Sequence, residues 1–395
     1  MTANSHFRWL LLPFSACYGI GVWIRNILFN LEILPSERFD IPVLSVGNIT
    51  VGGTGKTPMT EYLARLLGKE HQVAILSRGY KRKTKGFYLA NQTSGLKELG
   101  DESLQLRHKF PKLTVAVDED RREGIKHLCE KATTPSVDVV LLDDAYQHRY
   151  VQPGISILLI DYNRLINEDH LLPVGNLREP ASQFKRAHIL VFTKCPKDMK
   201  PIDRRLITMK FKIYTHQTLF FTTMEYSPLK RLETEFPTPL ATEIETSETG
   251  SLVQNESEMD ALTMEKIRDN QLPVLIVAGI ASPKPFIDYV RSYCPKAQAL
   301  LFPDHHVFSN KEIHNLQVKF ESIRLSGGVI LTTEKDSMRM LENPLFKTLS
   351  HHIYYPGVSI RFIDEGAIFD KKILDYVRIN KRNRRMAQTT DVQPS

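Results

Sequence analysis

Residues 43–67, VLSVGNITVGGTGKTPMTEYLARLL, run from an apolar stretch through a glycine cluster into a pattern of helical period. A strand that turns through glycines into a helix narrows the choice of fold more than any other part of this chain. Gly52 and Gly53 free the backbone to aim N–H groups at phosphate oxygens, and the helix that follows presents its N-terminus to the same charge. The pattern G-x-x-x-x-G-K-[ST] is met in its second half by Gly55, Lys56 and Thr57, with Thr50 in the place of the first glycine. Thr50, Val51, Gly52, Gly53, Thr54, Gly55, Lys56 and Thr57 are therefore the expected phosphate cradle. Lys56 is placed to reach β and γ phosphates and Thr57 to put a hydroxyl on magnesium, while Pro58 suits a first helical turn. A glycine-rich turn with an incidental lysine is the bland alternative.

Short apolar runs recur along the chain: VLSVGN, VAILSRG, LTVAVD, VVLLDDAY, ISILLIDY and AHILVFTK. Their rhythm predicts a mostly parallel sheet covered by helices on both faces. LPVLIVAGIA, AQALLFPDHH and GGVILTTEKD begin a second, smaller α/β unit, and LFFTTMEY (219–226) is a candidate to pair with IYYPGVSIRF (353–362) as a ribbon between the two. At 395 residues and 42% hydrophobic content, two domains are expected. The predicted organisation is an N-terminal interfacial helix over 1–34, a nucleotide-binding domain over 35–215, a linker strand over 216–230 and a second domain over 231–352. A return strand and helix follow over 353–380, then a disordered tail over 381–395. Residues 241–270 are acidic and lack an apolar period, which predicts an exposed insertion.

The N-terminal run is apolar from Trp9 to Ile24, but Pro13, Gly19 and Gly21 interrupt it and Arg25 ends it. It is short of the ~20 apolar residues of a spanning helix and lacks a clear cleavage site. Trp9, Phe14, Trp23 and Phe29 as anchors, with Arg8 and Arg25 able to meet lipid phosphates, predict a helix lying in a membrane interface. The four cysteines, Cys17, Cys129, Cys195 and Cys294, show no C-x-x-C spacing, which argues against a disulfide frame or structural zinc. A net charge of +7 favours anionic partners without choosing among them. Basic residues do not interleave with aromatics in a nucleic-acid-binding pattern, so no nucleic-acid partner is expected.

A phosphate loop needs an acidic partner on a neighbouring strand, and VVLLDDAYQH offers Asp143 and Asp144, of which at least one is expected to hold magnesium. Asp101 and Glu102, in LKELGDESLQL, fall at a loop-to-helix junction, where an aspartate is also an ordinary N-cap. The adjacent histidines of LFPDHHVF fit a metal site, a proton carrier or plain surface equally well.

VGNITVGGTGKTP, ILSRGY, GDE, LLDDAYQH, LLPVGNLREP, TK, DHHVF and TTEKD stand in the order found in the tetraacyldisaccharide 4'-kinase family, which this sequence resembles over most of its length. The resemblance implies a membrane-associated P-loop kinase with two α/β/α domains joined by a two-stranded linker. It implies transfer of the γ-phosphate of ATP to the 4'-hydroxyl of an acylated glucosamine disaccharide 1-phosphate, at the cytoplasmic face of a bacterial inner membrane. ATP and Mg2+ are the implied cofactors, and a monomer is expected. By the same resemblance Asp101 is the base and Glu102 a residue of the magnesium network. Asp143 and Asp144 are the Walker B pair, completed by Gln147 and His148, and Arg178 lies near the transferred phosphate. His305 would form a dyad with the base, brought to it by domain closure. Ser103, Ala145, Tyr146 and Asn176 depart from the family's usual residues.

Rival classes leave weaker traces. Thr193, Lys194 and Asp198 in FTKCPKD loosely match a guanine-reading T-K-x-D, but the aspartate is displaced. A membrane-associated regulatory ATPase would carry K-G-G-x-G-K-[ST], and Val51 stands in the lysine's place.

Overall fold

The computed structural model describes residues 10–130, 136–232 and 262–390. The chain divides into two compact units, one extending to Glu225 and resuming at Ser359, the other spanning Tyr226–Val358.

The first unit is built on β1 (Val43–Gly47), β2 (Val73–Ser77), β3 (Tyr88–Leu89), β4 (Thr114–Val117), β5 (Val139–Asp143), β6 (Ile155–Asp161), β7 (Ile189–Thr193) and the first half of β8 (Thr218–Arg231). Their order is β8-β7-β6-β1-β5-β2-β4-β3. Pairings from β8 to β4 are parallel, and β3 runs antiparallel at the edge. From β1 the chain builds β2, β4 and β5 on one side and then crosses to β6 and β7 on the other. A crevice therefore opens at the carboxyl end of β1, where the strand order reverses.

β1, β2, β5, β6 and β7 are buried at every position. Burial on both faces explains why their sequences are continuous apolar runs rather than alternating ones. Met59, Leu63, Ala64 and Leu67 of the helix Lys56–Leu67 pack with Leu44, Val46, Ile75 and Leu141 of the sheet. On the opposite face Ile125 and Leu128 close over Ala74, Leu76, Val140 and Leu142. Each large aliphatic side chain buried this way contributes ~1.5–3 kcal/mol relative to exposure, so the loop after β1 springs from the most heavily packed part of the unit.

In the second unit β9 (Val274–Ala278), β10 (Gln298–Leu301), β11 (Val329–Thr332) and β12 (Ile353–Phe362) form the order β10-β9-β11-β12, with parallel pairings. The helices Lys284–Tyr293, Asn310–Arg324 and Glu334–Leu341 follow β9, β10 and β11. β8 and β12 are neighbours of opposite direction, since Ile363 N–H donates to Phe221 O and Leu232 N–H donates to Ile353 O. The α/β fold with a two-stranded linker read from the sequence is the fold observed.

Two stretches differ from the sequence reading. Inside the stretch 241–270, Met264–Asp269 form a helix with Met264 and Ile267 buried; Thr263 caps it by accepting from Lys266 N–H. Two apolar residues three apart in a polar background are enough to seat one turn, but too few to give a period. Residues 241–261 lie outside the described residues. The last helix, Gly366–Thr390, runs ten residues into the expected tail. KRNRRMAQ is rich in good helix formers, so a helix already nucleated upstream propagates through it. Residues 391–395 lie outside the described residues.

The N-terminal helix spans Leu12–Asn30 with Pro13 in its first turn. Its orientation is the reverse of an ordinary surface helix. Ser15, Asn26 and Phe29 are buried against the rest of the first unit, so Phe29, packed edge-on to Tyr150, is not the membrane anchor expected from the sequence, while Phe14 and Trp23 are 65% and 60% exposed. Polar bonds fix it: Ser15 Oγ donates to Leu171 O at 3.0 Å, and Arg149 Nη1 donates to both Asn26 O and Asn26 Oδ1 at 3.1 Å. By length and composition it could cross a membrane, and most of its apolar surface is left uncovered by the protein. Residues 1–9 lie outside the described residues.

Candidate active site

At the end of β1 the chain turns through residues 48–55 into the helix Lys56–Leu67. Gly55, at φ 86°, takes the left-handed conformation that lets the loop fold back onto the helix start. The loop is held from behind by its carbonyls. Arg164 Nη2 donates to Val51 O at 2.7 Å, Thr193 Oγ1 to Thr54 O at 2.8 Å, and Lys194 Nζ to Gly53 O. Lys194 also donates to Asp161 Oδ2 at 2.7 Å, and Asn48 Nδ2 donates to Thr54 Oγ1 at 2.7 Å. The first amides of such a helix have no intrahelical partner, which suits this helix start to a phosphate. Thr50 and Val51 are tied to the segment carrying Arg178: Thr50 bridges Leu177 and Val51 N–H donates to Asn176 O at 2.8 Å.

β5 brings its acidic end alongside, with Asp143 in register with Val46. Asp143 is buried and accepts from Thr60 Oγ1 at 2.8 Å. Burial, reinforced by the Glu102 and Asp144 charges, pushes its carboxyl up to about 7. Asp144 adopts φ 47°, uncommon for a residue with a side chain. It lies 3.7 Å from Lys56 Nζ and 3.4 Å from Arg178 Nη1. Burial works against its charge, but Lys56, Arg178 and Arg121 more than offset this and hold its carboxyl below the usual range. The two adjacent aspartates are thus shifted in opposite directions, Asp143 up by burial and Asp144 down by its cationic neighbours. Asp144 Oδ1 is buried and has no hydrogen-bond partner among the described residues.

Lys56, Asp143, Asp144 and Arg178 therefore come together, with Glu102 in electrostatic reach of Asp143. Asp101 is buried and is the first residue of the helix Asp101–Lys109; the N-cap is Gly100. Gly100 sits at φ 75°, and a Cβ there would lie 2.4 Å from Tyr80 O. Gly100→Ala is expected to remove about 2 kcal/mol or more from the unfolding free energy in urea. A neutral result would show that the GDE turn has room to relax.

His305 lies in the second unit, at φ 57°. Lys335 Nζ is 3.2 Å from its Nε2 and Arg339 Nη2 is 3.5 Å from its Nδ1. Arg339 also binds Asp336 Oδ1 at 2.7 Å and Gly279 O at 3.0 Å, so TTEKD forms a buried frame under DHHVF. His306 instead stacks on Phe302 and bonds Glu312 at 3.0 Å, a packing role.

Sequence reasoning missed Arg121, which is buried and whose charge acts on both aspartates. It stands in an unremarkable DEDRREG stretch with no motif to mark it. Thr193 and Lys194 pin the loop, a role that the TK pair in the sequence does not reveal.

A parallel sheet with this loop at its switch point, a lysine at the helix start and an acidic pair on the adjacent strand define a P-loop nucleotide-dependent enzyme. The family model described as tetraacyldisaccharide-1-P 4'-kinase matches residues 7–378, and the chain belongs to that family. The tetraacyldisaccharide 4'-kinase of Phocaeicola vulgatus is 45% identical over 95% of this chain and 96% of its own length. That of Bacteroides thetaiotaomicron is 42% identical over 99% of this chain and 100% of its own. The crystal structure of LpxK from Aquifex aeolicus in complex with ATP superimposes with a TM-score of 0.67, at 28% identity, covering 94% of this chain and 99% of that one.

Proposed function

We propose that this enzyme transfers the γ-phosphate of ATP to the 4'-hydroxyl of an acylated glucosamine disaccharide 1-phosphate, the lipid A precursor, as its relatives' names describe. The observation that carries this reading is the convergence of Lys56 and Arg178 on Asp144 at the mouth of the phosphate loop. Phosphoryl transfer depends mainly on positioning and on neutralising charge at the equatorial oxygens. Lys56 and the loop 50–57 supply this for the ATP phosphates, and Arg178, with its planar guanidinium, for the phosphate in flight.

Magnesium suits the residues present. Asp144 Oδ1 is buried and lacks a hydrogen-bond donor, Asp143 lies beside it, and Thr57 heads the helix. Among the described residues no cluster of three or more His, Cys, Asp and Glu side chains could hold a metal alone. Magnesium is ordinarily held by one or two carboxylates together with substrate phosphates. Thr57, Asp143 and Asp144 would hold the ion, with Glu102 in the surrounding network, and it would supply neutralisation of the charge on the transferred phosphate.

Asp101 would take the proton of the acceptor hydroxyl, and His305 would orient and tune it. General-base groups of this kind contribute typically ~100- to 10,000-fold. In this reading the first unit carries nucleotide and metal, the second supplies His305, and the enzyme works as a monomer.

The acceptor's acyl chains keep it in a bilayer, so the enzyme must meet it there. The outward apolar face of the N-terminal helix supports association with the cytoplasmic face of the inner membrane. Replacing Phe14 and Trp23 together by serine is expected to weaken vesicle co-sedimentation at least about tenfold, given ~1.5–3 kcal/mol per buried aromatic. It should raise the apparent KM for lipid more than for ATP. Unchanged sedimentation would place the membrane-binding surface elsewhere. For the reaction itself, purified protein with γ-labelled ATP and the disaccharide 1-phosphate should put label into lipid. No labelled lipid from a folded, ATP-binding protein would overturn the assignment.

A further inference from the structure

Arg25 interrupts the apolar face of the N-terminal helix, a position suited by sequence to lipid headgroups, yet its side chain turns inward. Arg25 Nη2 donates to Gln147 O at 2.5 Å, and Arg25 Nη1 lies 3.8 Å from Glu179 Oε1. These two contacts lead to two different segments of the site. Gln147 Nε2 donates to Asn48 O at 2.5 Å, and Asn48 Nδ2 donates to Thr54 Oγ1 at 2.7 Å, inside the phosphate loop. Glu179 follows Arg178 in sequence. Its carboxylate is buried, with Oε2 bound by Arg186 and Oε1 making no hydrogen bond among the described residues. One turn and more before Arg25, Tyr18 Oη donates to Arg178 O at 2.8 Å. The helix that faces the lipid therefore touches both the Arg178 segment and, three links away, Thr54.

We propose that Arg25 is a positioning residue that couples seating of the N-terminal helix on a lipid surface to the geometry of the phosphate loop and Arg178, so that ATP is held most tightly when the enzyme is on the membrane. The inference rests on the kinase reading above and adds a direction of control to it. A buried carboxylate with one oxygen unsatisfied is an expensive group. Glu179 is best compensated when Arg25 closes on it, and Arg25 is carried by the helix whose outer apolar face, with Phe14 and Trp23, is open to a lipid surface. A ligand that favours the seated helix must then favour the nucleotide site by the same factor, because coupling between sites is reciprocal.

The test uses the full chain, a fluorescent ATP analogue and vesicles of phosphatidylethanolamine and phosphatidylglycerol, with no lipid acceptor. Wild type should bind the nucleotide about fivefold more tightly with vesicles than without, the lower end of ordinary site-to-site coupling. Arg25→Gln should sediment with vesicles as wild type does and show no vesicle-dependent tightening. Its kcat for acceptor phosphorylation should fall about tenfold, less than the ~100-fold possible when a reacting group is misplaced by 1 Å. Arg25→Lys, which keeps the charge but loses the fork that reaches two partners, should recover part of the coupling. Vesicle-dependent tightening that survives in Arg25→Gln, or is missing in wild type, overturns the proposal. So does loss of vesicle binding in Arg25→Gln, which would make Arg25 a headgroup contact. Because nucleotide binding is read without acceptor, failure of the coupling and failure of the kinase assignment are separate results.

Discussion

Lys56→Ala is expected to lower kcat for lipid phosphorylation by about 100- to 1,000-fold, the usual loss when one preorganised charge-stabilising donor is removed. The fold should survive. Lys56 opens the helix Lys56–Leu67, alanine is the best helix former, and the core-facing residues of that helix begin at Met59. Asp144 loses one cation but keeps Arg178 at 3.4 Å and the field of the buried Arg121. Far-ultraviolet circular dichroism and the urea midpoint should therefore stay near wild type while turnover collapses. Wild-type turnover by the folded variant would remove the loop from the chemistry. Loss of fold and activity together would mean that Lys56 is chiefly a counter-charge for the aspartates.

The phosphate loop could be read from sequence because its chemistry is local. A strand, two glycines, a lysine and a helix start occupy one continuous stretch, and the apolar runs on either side report burial on both faces of the sheet. Asp143 and Asp144 were legible for the same reason, as an acidic end on an apolar strand. Their separation into two electrostatic states was not. It depends on Arg121, Arg178 and Glu102, which come from three other segments and meet the aspartates only in the folded unit. The N-terminal helix shows the same limit. Its sequence reveals an apolar surface, but periodicity cannot say which face meets the protein. That face proved to be mainly polar, Phe29 apart, and is fixed by bonds linking Ser15, Tyr18, Arg25 and Asn26 to loops more than one hundred residues away. The turn at Met264–Asp269 was hidden because six residues are too few to display a helical repeat.

Asp101 and His305 provide the second large expected effect, and it takes the form of a double-mutant cycle. Asp101 is buried at the head of its helix in the first unit. His305 is held in the second by Lys335 and Arg339 on a backbone of positive φ. Nothing in the local sequence of either requires the other. If they act as one base unit, Asp101→Ala and His305→Ala should each lower kcat about 100-fold or more, within the general-base range, with smaller changes in ATP affinity. The double variant should then be little worse than the more damaging single one, because removing half of a cooperating pair already forfeits its function. Independent roles would instead multiply the two losses. A purely structural Asp101 would show up as lost stability of ~1 kcal/mol with kcat unchanged, the scale of a helix-end interaction. Multiplicative losses would refute the dyad and leave the kinase reading standing. Unchanged kcat in both single variants would take the two residues out of the reaction and leave Asp143, pushed up to about 7 by burial, as the carboxylate to examine next.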